Sequence, residues 1–176
     1  MHDIVVAALE AAGLKLFRLT QPLADSRIFT AFFEGATAEV AYAIDIQLIH
    51  EGPIRVVGKP PLILPRNKRD SRYRAVQELV NLFNRKELPK AILYERQVEV
   101  GYELPSVFLA GQDLESLSRC IKLLVFSTAR ATEKLTVALE KIILQREQPE
   151  KALTVACNDI EATAAMFACD DDERAN

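Results

Sequence analysis

The side chains that could perform chemistry are few and lie far apart along the chain. Its two histidines, His2 and His50, are widely separated, and neither has a cysteine at metal-ligand spacing. Its three cysteines, Cys120, Cys157 and Cys169, form no CxxC pair. No histidine lies near them in sequence to act as the base that a thiolate nucleophile requires. The spacing therefore predicts neither a metal site nor a catalytic cysteine.

Motifs that bind phosphate or activate a serine are also absent from the sequence. No GxGxxG, GxxxxGK[ST] or GxSxG pattern occurs, and the six glycines are widely spaced. Ser26, Ser71 and Ser127 have no histidine close in sequence, and the run Asp170–Glu173 lacks the glycine-shaped loop of a calcium site. We therefore expect a protein that is not an enzyme and that carries no cofactor. An enzyme of unrecognised type is the remaining alternative.

Length and composition are those of one globular domain. The chain has 176 residues, of which 49% are hydrophobic and 27% charged, and no apolar run is long enough to span a bilayer. Residues Met1–Ile4 lack the basic start of a signal peptide, and the unpaired cysteine pattern suits a reducing compartment. The prediction is a cytoplasmic protein without a membrane partner.

One short stretch is strongly basic although the whole protein is acidic, with a net charge of −3. We define the basic segment by its five cations: Arg66, Lys68, Arg69, Arg72 and Arg74. These cations and the neighbouring Tyr73 could contact phosphates and a stacked base, so weak nucleic-acid binding through residues 66–74 is an alternative function. Because the cluster is short and the protein acidic, nucleic acid is not the expected partner.

Acidic residues dominate the other end of the sequence. From Glu147 onward, eight acids stand against only Lys151 and Arg174. This acidic end could attract the basic segment, within one chain or between copies. A solvated terminus and a solvated helix start are the simpler interpretation.

The apolar pattern predicts helices and strands in an α+β order. Helical spacing over Ile4–Ala12 ends at Gly13, a residue that often follows the last turn of a helix. Alternation over Val40–Leu48 predicts a strand with one buried face, and further strands are predicted over Ile28–Phe33 and Ile54–Val57.

After the basic segment, the pattern predicts a helix and then a pair of strands. Asp70 or Ser71 caps the helix, and Leu88-Pro89 ends it. Its apolar residues recur at positions i, i+3, i+4 and i+7: Val76, Leu79, Val80 and Phe83. The alternating stretches Ala91–Glu95 and Val98–Leu104 then predict a hairpin.

A long helix begins at Asp113 and continues without glycine or proline to Pro149, where another helix starts. At about 35 residues and about 50 Å, it is longer than a small sheet can cover. Its later apolar residues must lie against a second copy or against the last helix, and they form the candidate protein interface: Leu135, Leu139, Ile142 and Ile143. We expect one α+β domain over residues 1–148, followed by a C-terminal helix and acidic tail over 149–176.

The order of these elements, together with a few residues, resembles the YbjN-like family of bacterial sensory-transduction regulators. The residues that carry the resemblance are Leu64-Pro65, Arg69, Val76, Leu79, Val80, Asn81, Phe83-Asn84, Val98–Pro105 and Ile121–Val125. The resemblance covers about residues 14 to 145. The chain departs from the family at the hairpin, which lacks the usual acidic-glycine turn.

The resemblance implies an antiparallel sheet of about five strands packed against helices, in the type III secretion chaperone-like arrangement. It also implies dimers that present a sheet or groove to a partner polypeptide, and it brings no catalytic residues. We therefore predict a homodimeric, non-catalytic protein-binding module with a regulatory or chaperone-like role.

Overall fold

The computed structural model describes residues 2–14, 16–18, 26–34, 41–49, 52–105, 107, 111–145 and 148–170. These ranges contain four helices and six strands, in the order α1 His2–Ala11, β1 Leu16–Arg18, β2 Ser26–Glu34, β3 Ala41–Ile49, β4 Ile54–Gly58, α2 Ser71–Lys86, β5 Lys90–Tyr94, β6 Gln97–Leu104, α3 Leu114–Leu144 and α4 Pro149–Asp170.

The strands form an antiparallel sheet with the order β1-β2-β3-β4-β6-β5. Five of them have five or more residues, and β1 is a three-residue strand at one end of that order. The predicted α+β class, with an antiparallel sheet of about five strands and accompanying helices, is therefore confirmed. The hairpin is also confirmed, with its two-residue turn at Glu95-Arg96.

The chain divides into two compact units, each built from separate parts of the sequence. Unit 1 comprises residues 1–59 and 100–132, and unit 2 comprises residues 60–99 and 133–176. The strand β6 and the helix α3 each contribute residues to both units. The predicted C-terminal segment 149–176 falls inside unit 2, where α4 lies beside α2.

Unit 1 has its core on one face of the sheet. Strand β3 alternates as its sequence predicts, with four buried apolar side chains: Tyr42, Ile44, Ile46 and Leu48. The helices α1 and α3 add apolar side chains to the same core, among them Val5, Leu9, Ile121 and Val125. These helical residues follow the i, i+4 spacing that brings side chains to one face of a helix.

Helix α3 approaches the sheet of unit 1 very closely at Gly58, the last residue of β4. A Cβ atom on Gly58 would lie 2.0 Å from Oγ1 of Thr132, so only glycine fits at this position. Thr132 itself is buried, and its hydroxyl donates to the carbonyl oxygen of Thr128 at 2.7 Å. The buried hydroxyl of Thr128 has no hydrogen-bond partner among the residues that the structure describes. The absence of a side chain at Gly58 therefore allows α3 to pack this closely on β4.

The opposite face of the unit 1 sheet carries polar pairs between neighbouring strands. The hydroxyl of Thr30 donates to Asp45 at 2.8 Å. Arg55 donates to Gln47 at 3.4 Å and forms an ion pair with Glu103 at 3.8 Å. Each of these pairs joins residues that stand directly opposite in the strand register. This face is therefore stabilised by cross-strand polar contacts.

In unit 2, helix α2 begins at Asp70, whose side chain accepts a hydrogen bond from the backbone N–H of Arg72 at 2.9 Å. This geometry selects Asp70 over Ser71 as the N-cap. The helix ends at Glu87, whose N–H donates to the carbonyl of Phe83. Its buried face contains all four predicted apolar residues together with two others: Tyr73, Ala75, Val76, Leu79, Val80 and Phe83.

Helix α4 lies beside α2 and beside the later part of α3 within unit 2. Lys86 at the end of α2 forms an ion pair with Glu161 at 3.8 Å. Lys134 of α3 donates to the carbonyl oxygen of Ile160 at 3.2 Å, and Lys141 is hydrogen-bonded to Asp159. The last helix therefore packs along two others.

Helix α3 spans 31 residues, so the predicted long helix is confirmed. The carboxylate of Asp113 accepts the N–H and the hydroxyl of Ser116, at 2.8 and 2.7 Å. These donors hold the pKa of Asp113 below its usual value. Within the described part of the chain, no helix has the combination of length and apolarity that crossing a membrane requires.

Candidate protein-binding surface

The basic segment comprises the loop before α2 and the first turn of that helix. The side chain of Asn67 accepts the N–H of Arg69 at 2.9 Å, and the carbonyl of Asn67 accepts the N–H of Asp70 at 3.0 Å. Two short-range hydrogen bonds thus fix the turn that precedes the helix. These bonds define the backbone between Asn67 and Asp70.

Arg72 is the one cation of the basic segment that the structure shows to be neutralised. Its guanidinium contacts both carboxylate oxygens of Asp70, at 3.1 and 2.7 Å. The hydrogen bonds from Arg72 hold the pKa of Asp70 below its usual value. The remaining four cations are exposed: Arg66, Lys68, Arg69 and Arg74. The segment thus offers four charges to a partner, one fewer than its sequence contains.

The prediction that Tyr73 is free to stack on a base is wrong. Its side chain is only 6% exposed. Tyr73 stands three and seven positions before Val76 and Val80, on the helix face that unit 2 buries. The sequence contained this signal, because helical spacing places all three side chains together.

Three exposed apolar side chains of unit 2 lie on β5 and on the loop that is hydrogen-bonded to the hairpin turn. Two side chains on one face of β5, Ile92 and Tyr94, are 53% and 62% exposed. Ile63 is 65% exposed and directly precedes Leu64. Leu64 donates its N–H to the carbonyl of Arg96 at 2.9 Å, and the guanidinium of Arg96 donates to the carbonyl of Leu64 at 3.1 Å. We call Ile63, Ile92 and Tyr94 the hairpin patch.

The hairpin patch was not predicted, although β5 carries a signal for it. Ala91 and Leu93 alternate with Ile92 and Tyr94, so the strand is apolar on both faces. Ala91 is buried, whereas the opposite face is exposed. The link from Leu64 to Arg96 joins positions 32 apart in sequence and has no local signature.

Helix α2 holds β5 in place through one side chain. The amide of Asn84 donates to the carbonyl of Ala91 at 2.8 Å and accepts the N–H of Ala91 at 2.6 Å. The ammonium of Lys90 donates to the carbonyls of Asn84 and Glu87, at 2.7 and 3.1 Å. The strand that presents Ile92 and Tyr94 is therefore fixed to the end of α2.

The candidate interface on α3 lies within unit 2. Leu135, Leu139 and Ile142 are fully buried in the single chain, and Ile143 is half-buried. The contacts of α4 with Lys134 and Lys141 place the last helix along this part of α3. The sequence analysis allowed either this helix or a second copy of the chain to pack there. Contact between these residues and a second copy would require α4 to move away. Their role as an interface stays a prediction.

The residues considered for chemistry remain dispersed where they are described. Burial raises the pKa of the Cys120 thiol, and burial together with the charges of Glu161 and Glu78 raises that of Cys157. Ser127 is hydrogen-bonded to the hydroxyl of Tyr102 at 2.9 Å. In the ranges given above, no group of three or more histidine, cysteine, aspartate or glutamate side chains is arranged to hold a metal ion. The side chains of His2, His50, Cys169 and Asp170–Glu173 lie outside the described residues.

Comparison with family models, with curated proteins and with solved structures gives no match to this chain.

Proposed function

We propose that this chain is a cytoplasmic, non-catalytic protein-binding module with a regulatory or chaperone-like role, acting as a homodimer. The resemblance to the YbjN-like family and its type III secretion chaperone-like fold supports the proposal, and the observed α+β class with an antiparallel sheet is compatible with it. The observation that carries the proposal is the hairpin patch.

The hairpin patch suits a polypeptide partner because of its composition and its support. Isoleucine and tyrosine side chains offer a large contact area, and tyrosine is enriched at protein interfaces. The patch lies on a strand and on a loop that are fixed by hydrogen bonds to Asn84 and Arg96, so little conformational entropy is lost on binding. The exposed cations Arg66 and Arg96 are close to it in sequence. The expected partner therefore presents apolar side chains to this patch.

A comparative pull-down tests this function. The bait is the full chain, as wild type, as the double variant Ile92→Asp/Tyr94→Ser, and as the matched control Leu123→Ser, which removes an exposed apolar side chain of unit 1. Recovery from native cytoplasmic extract is quantified by mass spectrometry. We expect one protein to be recovered with the wild type and the control and lost with the double variant. Equal recovery by all three baits, or no recovery by the wild type, would contradict the proposal.

Nucleic-acid binding is the second candidate, and the four exposed cations of the basic segment are the observation that favours it. Tyr73 is buried and cannot stack on a base, so the predicted aromatic contact with nucleic acid is lost. Fluorescence anisotropy with a random single-stranded oligonucleotide separates the two candidates. A micromolar affinity that falls steeply with salt, and that is lost in Arg66→Ala/Lys68→Ala/Arg69→Ala, would favour nucleic acid.

A further inference from the structure

Unit 1 contains a cavity that lies between the end of α1 and the start of α3. Its volume of about 430 Å³ is within the range of small-molecule sites, which is about 300–1,000 Å³. On the side of α1 the wall is formed by Ala11 and Ala12, whose small side chains leave the space open. On the side of α3 it contains Leu114, Ser118 and Lys122, which follow one another at intervals of four positions and therefore share one face of the helix. None of these residues belongs to the basic segment or to the hairpin patch.

Ser118 contributes a hydroxyl group to this wall. The residue is only 8% exposed, and its hydroxyl makes no hydrogen bond with a described residue. Thr132 of the same helix, by contrast, donates its hydroxyl to the carbonyl oxygen of Thr128. A hydroxyl that is shielded from water and has no partner is destabilising. An acceptor atom inside the cavity would therefore be stabilised at this position.

The charged side chains around Ser118 leave the cavity with one uncompensated positive charge. Arg119 and Glu115 also line it, and they neutralise each other through an ion pair of 2.6 Å. Lys122 is exposed, and its ammonium makes no ion pair or hydrogen bond with a described residue. The C-terminal end of α1 and the N-terminal end of α3 both border the cavity, so the effects of their dipoles oppose each other. The charge of Lys122 therefore favours a ligand with a negative group.

The two donors and the apolar wall beside them define the kind of anion. Residues four positions apart on a helix have their Cβ atoms about 5–6 Å apart, so one carboxylate can accept hydrogen bonds from Ser118 and Lys122 together. Leu114 and the two alanines offer no polar side chain. Leu114 is 43% exposed, and an apolar chain in the cavity would remove it from water.

We propose that this cavity binds a small aliphatic monocarboxylate. Its carboxylate accepts hydrogen bonds from the Ser118 hydroxyl and the Lys122 ammonium, and its chain packs on Leu114 and the two alanines. The cavity belongs to unit 1 and the hairpin patch to unit 2. The inference therefore goes beyond the protein-binding function, and either can fail without the other.

Titration of the isotope-labelled full chain with octanoate, followed by nuclear magnetic resonance, tests the proposal. We expect saturable shifts of the backbone amides over Ala11–Gly13 and Leu114–Lys122. Octan-1-ol has the same chain without the charge, so it should bind at least about tenfold more weakly, as the loss of charge-assisted hydrogen bonds predicts. Acetate keeps the charge without the chain and should not saturate the site.

Three variants with two matched controls assign the binding to the cavity. Lys122→Met should weaken octanoate about tenfold and leave octan-1-ol unchanged, and Ser118→Ala should weaken octanoate by a smaller factor. Ala11→Leu fills the cavity from an exposed position and should abolish binding of both probes. The controls are Lys68→Met, which removes an exposed cation of unit 2, and Ala43→Leu, which enlarges an exposed alanine of β3. Both should bind octanoate like the wild type, and circular dichroism checks that every variant folds.

Several results would overturn the proposal. Octanoate that causes no saturable shifts in the wild type would do so, as would equal affinities for octanoate and octan-1-ol. Equal losses in Lys122→Met and Lys68→Met would show a non-specific charge effect and contradict it. If the shifts centre on Ile92 and Tyr94, the acid binds the hairpin patch and the cavity is not its site.

Discussion

The close approach at Gly58 predicts a specific loss of stability on substitution by alanine. The added Cβ would lie 2.0 Å from Oγ1 of Thr132, 2.9 Å from Cδ1 of Ile44 and 3.1 Å from Cβ of Thr132. Two non-bonded atoms cannot approach to 2.0 Å, so helix α3 or strand β4 must shift within a packed core. Overpacking of this kind costs about 1–3 kcal/mol, and the lower entropy of the unfolded alanine chain offsets about 0.5 kcal/mol. We expect a net loss of about 2 kcal/mol for Gly58→Ala.

The same distances predict which second substitution relieves the strain. Thr132→Ala removes the hydroxyl oxygen that clashes. The contacts that remain are 3.1 Å to the Cβ of residue 132 and 2.9 Å to Cδ1 of Ile44, and the second is relieved by a small movement of the flexible end of the Ile44 side chain. Alone, Thr132→Ala removes the hydrogen bond to Thr128 and should cost about 1 kcal/mol. In the double variant the two losses should not add. The sum of the single losses should exceed the loss of the double variant by about 1 kcal/mol or more.

Urea denaturation followed by circular dichroism measures the free energies of unfolding for this cycle. Gly101→Ala is the matched control, because its Cβ would meet the backbone oxygen of Val56 at 1.9 Å, which no side-chain substitution removes. Gly101→Ala and Thr132→Ala should therefore be additive. An undiminished stability of Gly58→Ala, or additive losses for Gly58→Ala and Thr132→Ala, would refute the packing argument.

Three further predictions concern polar groups and one strained turn. Asp70 has a lowered pKa in the folded chain, so its stabilisation is complete above the usual value of 3.8 and is lost as the pH falls through the folded value. In urea titrations, the wild type should have a free energy of unfolding about 1 kcal/mol higher than that of Asp70→Asn at neutral pH, and this difference should disappear on acidification. A difference that stays constant with pH would contradict the prediction. Thr128→Val removes a buried hydroxyl that has no described partner, and it should raise the free energy of unfolding by about 1 kcal/mol, whereas Thr128→Ser should not. Glu95 has a φ of 49°, a left-handed conformation that favours glycine. Glu95→Gly should therefore increase the free energy of unfolding by about 0.5–1 kcal/mol and raise the melting temperature. Gln97→Gly in the adjoining strand should lower the melting temperature.

Local spacing was sufficient to predict the elements that bury one continuous face. The alternation of β3 and the i, i+3, i+4, i+7 set of α2 appear in the structure as buried faces. The same helical rule extended by one turn would have placed Tyr73 in the core. Tyr73 stands between Arg72 and Arg74, and the charge of these neighbours obscures the apolar spacing to which it belongs.

The surface that carries the proposed function could not be predicted in the same way. Its position depends on the hydrogen bonds between Leu64 and Arg96, which bring a loop to a turn 32 positions away. The exposure of Ile92 and Tyr94 depends on which face of β5 the rest of unit 2 covers. Neither property follows from a local repeat. Likewise, the pairing of Asp70 with Arg72 lowered the number of available cations, and only side-chain geometry reveals that.

The bidentate amide contact between Asn84 and Ala91 has a consequence for the behaviour of the protein at high concentration. Strand β5 stands at the end of the sheet order, where unpaired backbone groups can template the addition of a foreign strand. The Asn84 amide occupies one N–H and one C=O of that strand, as a neighbouring peptide would. We therefore expect this single side chain to hinder the pairing of a foreign strand with β5 at Ala91.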